Sequence, residues 1–120
     1  MKYFTKEHEW VELNGSVATI GISVHAAAEL GDITFVEIPA VGKVVAKSGV
    51  VSVVESVKAA SDIYCPVAGT VSEGNAELDT KPELINEDAE GAGWICKLSG
   101  VNAADLTGLM DAAAYTTFLG

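Results

Sequence analysis

Arginine is absent from this chain, and its seven basic residues are all lysine, against 17 acidic residues. The resulting formal net charge of −10 disfavours binding to nucleic acid, whose phosphates attract basic surfaces. The same charge disfavours contact with anionic membranes, and no apolar run is long enough to cross a bilayer. We therefore expect neither nucleic acid nor a membrane as a partner. We expect instead that the acidic surface docks on other proteins.

Cysteine is scarce, and the two cysteines, Cys65 and Cys96, form no Cys-x-x-Cys redox or zinc motif. Both lie in apolar segments, so we expect buried, reduced thiols that behave as small hydrophobic residues. His8 and His25 lack the His-Glu-x-x-His metal spacing, and the sequence has no nucleophile elbow, phosphate loop or dinucleotide fingerprint. We therefore expect no metal site and no catalytic residues, which favours a protein that is not an enzyme.

The first nine residues contain no apolar signal region and no arginine-rich transit pattern. We therefore expect a protein that is not exported and that works in a bacterial cytoplasm, or in the mitochondrial matrix if a transit peptide is missing from this sequence. The length predicts a single domain over residues 1–120, and a hydrophobic fraction of 49% is enough to build a core. We expect this domain to be a monomer.

Short β-branched segments separated by turn residues predict a mostly β fold. Asn14-Gly15 marks a hairpin between predicted strands over residues 10–13 and 17–23. The remaining predicted strands cover residues 33–38, 44–46, 50–54, 63–66, 69–73 and 93–98. Many short strands of this kind are typical of a small sandwich or a flattened barrel.

Capping residues mark two helical regions. Ser23 precedes a predicted short helix over residues 26–30, which Gly31 ends. Asn102 precedes a predicted C-terminal helix, and Asp111 is placed to restart it. The apolar side of this last helix is predicted to consist of Leu106, Leu109, Met110 and Ala113.

A short pattern, Pro-x-x-Gly-x-Val, occurs twice, within residues 36–44 and 63–71. The matching pairs are Pro39 and Pro66, Gly42 and Gly69, and Val44 and Val71. We interpret the pattern as an internal duplication, although turn residues are reused often enough for chance to remain an alternative. A duplication predicts two small antiparallel sheets related by a pseudo-two-fold axis.

A single lysine, Lys58, stands between the two copies. Predicted strands over residues 50–54 and 63–66 flank a small polar stretch centred on it. A hairpin with Lys58 near its tip fits this arrangement, but no Asn-Gly or Asp-Gly pair marks the turn. The residues alone therefore leave the position of Lys58 in the hairpin open.

The segment Glu55-Ser56-Val57-Lys58-Ala59 resembles the lipoyl-attachment motif of the glycine cleavage system H protein family. Further motifs similar to the family's are His8-Glu9-Trp10-Val11, residues 18–22 and 31–39, Asn86-Glu87-Asp88 and Gly93-Trp94. Their order and spacing cover nearly the whole chain, which makes the resemblance specific. The resemblance implies a lipoyl-domain-like fold, which is a flattened hammerhead of two small antiparallel sheets. It also implies short helices, one of them C-terminal. Finally, it places Lys58 at the hairpin tip.

The resemblance implies a non-catalytic carrier with lipoate bound covalently to Lys58 as N6-lipoyl-lysine. The lipoyl arm would take the aminomethyl group of glycine from a pyridoxal-phosphate glycine decarboxylase to a tetrahydrofolate-dependent aminomethyltransferase. It would then deliver its dithiol to a flavin lipoamide dehydrogenase. A lipoate ligase or lipoyltransferase would attach the cofactor.

The resemblance also implies which other residues form the site. Those around the attachment lysine are Glu55, Ser56, Val57, Ala59, Gly42 and Gly69. Glu9, Asp62 and Trp10 match family positions that line a groove shielding the arm. The two carboxylates would hold the ammonium group of the cargo, and Trp10 would supply an apolar wall. The alternative for Glu9 and Asp62 is that they only cap turns.

Two other functions use a similar attachment site. A lipoate relay module, which donates its lipoate to other lipoyl domains, would carry the same motif. A biotin carrier has a similar fold but places its lysine between methionines, whereas Val57 and Ala59 flank Lys58 here. The genes adjacent to the coding sequence would separate the relay from the glycine carrier.

Overall fold

Residues 2–120, which the computed structural model describes, fold into two antiparallel β-sheets of seven and three strands. The strands are β1 Lys2–Phe4, β2 Glu9–Asn14, β3 Val17–Ile22, β4 Ile33–Val36, β5 Val44–Val45, β6 Val50–Ser56, β7 Ala60–Tyr64, β8 Gly69–Gly74, β9 Cys96–Ser99 and β10 Met110–Asp111. The helices are α1 Val24–Leu30, α2 Glu77–Thr80, α3 Leu84–Asp88, a 3₁₀ helix Ala103–Leu106, and α4 Ala112–Leu119. The predicted mostly β, flattened fold with a C-terminal helix is confirmed, since the principal extents are 37 × 36 × 21 Å.

The larger sheet has the strand order β10-β1-β2-β3-β9-β8-β5, and the smaller sheet has the order β4-β6-β7. Inward-facing residues of both sheets form one hydrophobic core, in which Val11 and Ile20 of the larger sheet join Val54 and Ile63 of the smaller one. Successive residues of a strand point to opposite faces, so one face of each sheet supplies this core. On the opposite face of the larger sheet, Phe4 and Trp10 are buried against Tyr115 of α4. None of the helices in residues 2–120 is long and apolar enough to span a bilayer.

The hairpin of β2 and β3 and the following helix form much as predicted. Asn14 pairs with Val17, so the loop consists of the two residues between them. Ser23 caps α1 by accepting a hydrogen bond from the amide of Ala26, and Gly31 ends the helix. The helix begins at Val24 rather than at Ala26, because a capping side chain bonds the amide three residues ahead.

The two copies of the Pro-x-x-Gly-x-Val pattern occupy corresponding places in the fold. The first leads from β4 in the smaller sheet to β5 in the larger, and the second leads from β7 to β8 in the same way. β5 and β8 then pair with each other, and the amide of Gly42, at a φ of 94°, donates to the carbonyl of Val71. The sheets themselves are unequal, so a pseudo-two-fold axis relating them stays a prediction.

The C-terminal region differs from its prediction. Asn102 caps only the 3₁₀ helix Ala103–Leu106, and the chain then forms β10 before Asp111 caps α4. The predicted single helix with Leu106, Leu109, Met110 and Ala113 on one side is therefore wrong. Met110 instead pairs with Phe4 of β1, an unpredicted strand at the N-terminus. This pairing joins the two ends of the chain, and a long-range contact of this kind leaves no local signal.

Candidate functional site

The segment Glu55–Ala59 forms the tip of the β6–β7 hairpin, which confirms the predicted position of Lys58. Glu55 pairs with Ala60, and the turn between them is closed by a hydrogen bond of 2.8 Å from the amide of Ser56 to the carbonyl of Ala59. The hydroxyl of Ser56 accepts weaker bonds from the amides of Lys58 and Ala59, at 3.2 and 3.3 Å. The Ser56 side chain thus stabilises a turn that contains no Asn-Gly pair, because it forms hydrogen bonds with the backbone of the turn itself.

The hairpin tip is also attached to the C-terminal end of α1. The amide of Val57 donates to the carbonyl of Asp32 at 3.0 Å. The exposed side chain of Lys58 folds toward the helix, where its Nζ donates to the carbonyl of Glu29 at 3.3 Å. The carbonyls of the last helical turn carry partial negative charge, so they attract an ammonium group.

Gly31 leaves room for the side chain of Lys58 beside the end of α1. A Cβ atom at this position would lie 3.3 Å from Cε of Lys58, and the φ of 80° would strain any other residue. The sequence marked Gly31 only as a helix terminator. The contact with the lysine could not be predicted, because the partner of Lys58 is a backbone carbonyl that every residue type possesses.

A partly acidic and partly apolar surface lies beside the lysine. Glu55 is exposed on β6, and its backbone neighbour on β4 is Phe35, whose side chain is 48% exposed. Val57, next to Lys58, is 67% exposed. Exposed large apolar residues next to a reactive group are typical of a protein contact surface.

A cavity of about 220 Å³ lies beside this end of α1. Its lining consists of Glu7, His8, Glu9, Ile22, Ala26, Glu29, Leu30, Ser61, Asp62 and Ile63. The structure thus brings Glu9 and Asp62 to one cavity, which we refer to as the groove. Glu29 belongs both to the groove and to the contact with Lys58, so the groove begins next to the lysine.

Glu9 is recessed in the groove, with only 2% of its surface exposed, whereas Asp62 is exposed. The Oγ1 of Thr5 donates to the Glu9 carboxylate at 2.6 Å. Burial raises the pKa of Glu9 above its ordinary value, although the hydrogen bonds from Thr5 and from the Tyr64 backbone oppose the rise. Within residues 2–120 no lysine or histidine forms an ion pair with Glu9.

Trp10 lies outside the groove. Its indole N–H donates to the carbonyl of Ala89 at 3.0 Å, and its ring packs in a small cluster with Phe4 and Tyr115. Neighbouring residues of a strand point to opposite faces, so Trp10 cannot share the cavity that Glu9 faces. The structure therefore brings together two of the three predicted groove residues, and Trp10 supplies no wall to them.

Gly42 and Gly69 lie away from the lysine, where the chain passes between the sheets. Gly69 pairs with Val45, and a Cβ atom on it would come within 2.9 Å of the carbonyl of Ser99. Both glycines thus have a structural reason to be present. A part for them in recognition of the attachment motif stays a prediction.

A second cavity of about 560 Å³ shares Glu7 and Glu9 with the groove and extends to Tyr64 and Met110. It is the larger of the two, but its lining includes none of the residues that contact Lys58. The groove lies next to Lys58, the candidate attachment residue, so it is the better candidate site despite its smaller volume.

The two thiols are free and buried, as predicted. Burial raises the pKa of Cys65 to about 11 and that of Cys96 to about 12. Both therefore stay protonated at neutral pH, and a protonated thiol is a poor nucleophile. Neither cysteine contributes reactive chemistry to the site.

Comparison with known proteins gives a consistent result over the whole chain. The family model described as "Glycine cleavage H-protein" matches residues 2–120. The chain is 54% identical over 116 residues to the glycine cleavage system H protein of Phenylobacterium zucineum (97% of this chain and 96% of that protein). It is 49% identical over 118 residues to the one from Thermotoga maritima (98% and 95%). The crystal structure of the glycine cleavage system H protein from Mycobacterium marinum superposes with a TM-score of 0.87 at 31% identity, covering 99% of this chain and 96% of that one.

The raised pKa of Glu9 predicts a particular dependence of stability on pH. Above the ordinary value of 4.5, the native state retains a proton that the unfolded chain has lost, so ionisation of Glu9 lowers stability as pH rises through this window. Glu9→Gln lacks this ionisation. We therefore consider the free energy of unfolding of Glu9→Gln minus that of the wild type. This difference should be constant at pH values below the ordinary pKa of a glutamate, increase as the pH rises past it, and become constant again above the pKa of Glu9 in the folded protein.

Urea unfolding over a series of pH values measures this difference. Glu73→Gln, at an exposed position of β8, makes the same charge change away from the groove and is the matched control. A difference between Glu9→Gln and the wild type that does not vary with pH would contradict the prediction.

Proposed function

The chain belongs to the glycine cleavage H-protein family, and we propose that it carries lipoate in amide linkage on Lys58. We further propose that it takes the aminomethyl group of glycine from the pyridoxal-phosphate glycine decarboxylase to the tetrahydrofolate-dependent aminomethyltransferase. It then presents the dithiol to lipoamide dehydrogenase. The observation that carries the proposal is an exposed lysine at the tip of a hydrogen-bonded hairpin, within a segment that resembles the family's attachment motif and beside a groove.

The residues present fit a lipoyl group. The amine of Lys58 is exposed, and within residues 2–120 no carboxylate forms an ion pair with it, so an acylating enzyme can reach it. Acylation leaves an amide N–H that can still donate to the carbonyl of Glu29. Beyond that carbonyl, Ala26, Leu30 and Ile63 offer apolar walls for an alkyl chain. The lipoyl group supplies the redox-active sulfur pair, and this chain positions and shields it.

Glu9 and Asp62 provide the charge that an aminomethyl cargo requires. Its amine is cationic at neutral pH, and a charge-assisted hydrogen bond to a carboxylate is about twice as strong as a neutral one. Exposed ion pairs contribute only about 0–1 kcal/mol, so the recessed Glu9 is better placed than the exposed Asp62. An ammonium group in the groove also stabilises the ionised form of Glu9, which its burial disfavours.

The surface around Lys58 has to serve several partners in turn. Exposed Glu55, Phe35 and Val57 combine charge with apolar area next to the lysine, and Ser56 and Ala59 hold the turn in place. We propose that the lipoate ligase and the three enzymes of the system approach this face. The relatives named above come from bacteria, which supports a bacterial cytoplasm as the proposed location.

Lys58→Ala tests the attachment site. We expect the variant to accept no lipoyl group, because Lys58 is the single lysine at the hairpin tip. The free energy of unfolding should change by less than about 0.5 kcal/mol, since an exposed side chain buries little area. The measurement is intact mass and peptide mapping after incubation with lipoate, ATP and a lipoate ligase. Lipoate found on Lys43, Lys47 or Lys81 would overturn the assignment.

Glu55→Gln tests recognition by the ligase. Glu55 is exposed three residues before Lys58, and its charge can attract a basic region of the ligase without supporting the fold. We expect slower lipoylation with unchanged stability, and a weaker difference at high salt because screening removes the attraction. Glu73→Gln is again the matched control. Equal rates for Glu55→Gln and the wild type would remove this role.

Glu9→Gln and Asp62→Asn test shielding of the cargo. Water releases the aminomethyl group from the arm as formaldehyde and ammonia and leaves a thiol behind. Loss of either carboxylate should speed this decay, with the larger effect at the recessed Glu9. The decay is followed by intact mass of the loaded protein with no folate enzyme present. Lifetimes equal to that of the wild type in both variants would leave the groove without this function.

A further inference from the structure

A hydroxyl group of the C-terminal helix joins the two sides of the groove. The Tyr115 hydroxyl lies 2.7 Å from Nδ1 of His8 and 2.8 Å from Oγ of Ser23. His8 belongs to the segment before β2, and Ser23 is the N-cap of α1. We propose that Tyr115 is a positioning residue that holds these two walls together and so keeps Glu9 recessed in the groove. The proposal rests on the shielding function proposed above.

The direction of the hydrogen bonds follows from the burial of Ser23. Oγ of Ser23 already accepts a bond from the amide of Ala26 and has 0% exposure. Within residues 2–120, the hydroxyl oxygen of Tyr115 is the acceptor available to the Ser23 hydrogen, so Ser23 donates to Tyr115. Tyr115 must then donate to Nδ1 of His8. This assigns to His8 the neutral tautomer with its proton on Nε2.

The electrostatics of Tyr115 agree with this direction. Burial raises the pKa of Tyr115, and the hydrogen bond from Ser23 opposes the rise because it favours the charged phenolate. The phenol therefore remains protonated at neutral pH and can donate. The groups facing it are the imidazole of His8 and, at longer range, the carboxylates of Glu90 and Glu9, which also disfavour a phenolate.

His8 is the residue through which Tyr115 acts on the groove. It has a φ of 71°, a left-handed conformation that costs energy in a residue other than glycine. Its neighbours, Glu7 and Glu9, both line the groove. The backbone carbonyl of His8 also accepts from the amide of Ser23 at 2.8 Å, so a change in His8 alters the contact between the walls.

The aromatic ring of Tyr115 has a separate, structural task. It stacks on Phe4 with a centroid distance of 4.3 Å and an interplanar angle of 3°. Tyr115→Phe retains this stacking and removes only the hydroxyl, so the fold is preserved while the link between the walls is lost. Thr116→Val removes a hydroxyl from the next residue of the same helix and is the matched control, because within residues 2–120 this hydroxyl bonds only to the helical carbonyl of Ala112.

Two measurements on the protein without lipoate test the positioning role. The ¹⁵N shifts of the His8 imidazole at mildly alkaline pH should show a proton on Nε2 in the wild type and in Thr116→Val. In Tyr115→Phe we expect a mixture of tautomers. The pKa of Glu9 should fall toward its ordinary value of 4.5 in Tyr115→Phe alone, because a looser wall admits water to the carboxylate.

The third measurement is the decay of the aminomethyl-loaded protein without partner enzymes. We expect Tyr115→Phe to decay roughly two- to tenfold faster than the wild type, the size expected for the loss of one neutral hydrogen bond. Lipoylation of Lys58 should proceed at the wild-type rate, since the hydroxyl makes no contact with the hairpin tip.

The outcomes separate this inference from the shielding function. If Glu9→Gln speeds decay and Tyr115→Phe leaves both decay and the Glu9 pKa unchanged, the positioning role is overturned and shielding stands. If Glu9→Gln and Asp62→Asn both decay at the wild-type rate, shielding itself fails. A fall in the Glu9 pKa in Tyr115→Phe without a change in decay would also overturn the inference, because the wall would move with no consequence for the cargo.

Discussion

The hydrogen-bonded turn from Ser56 to Ala59 is the local constraint on which the proposed function depends. A carrier has to present one amine to several active sites, so the lysine must project from the fold while its backbone stays in place. The serine hydroxyl binds the turn from within, and the carbonyl of Asp32 holds it from outside. The strands that lead to the turn are anchored in the core through Val54 and Ile63.

In the proposed function the molecule has to expose the arm and protect its cargo, and the structure offers a separate surface for each of these tasks. The tip with Glu55 and Val57 is open and suited to brief protein contacts. The groove with Glu9 is recessed and bounded by α1 and the segment before β2. The carbonyl of Glu29 lies where the two surfaces meet. Because burial strengthens a charge pair and exposure weakens it, the proposed function predicts that a charged cargo is held more firmly in the groove than at the tip.

The C-terminal helix contributes more than a cover for the sheet. Through Tyr115 it reaches Ser23 and His8, two residues separated by 15 positions in the sequence. His8 lines the groove, and Ser23 caps the helix that borders it. The pairing of β10 with β1 places this helix there, because it brings the end of the chain beside its beginning. The lining of the groove itself comes from three segments that are distant in sequence, residues 7–9, 22–30 and 61–63.

Local patterns in the sequence determined most of the fold, and the resemblance of the segment Glu55–Ala59 to a known motif singled out Lys58 as the candidate attachment residue. Alternating β-branched residues, the cap at Ser23, the stop at Gly31 and the repeated Pro-x-x-Gly-x-Val pattern act within a few residues, so they can be recognised without the structure. The tertiary structure alone decided the contact of Lys58 with the Glu29 carbonyl, the exclusion of Trp10 from the groove and the strand at Met110. Each of these depends on which distant backbone or sheet face a residue meets, and that follows from packing rather than from residue type.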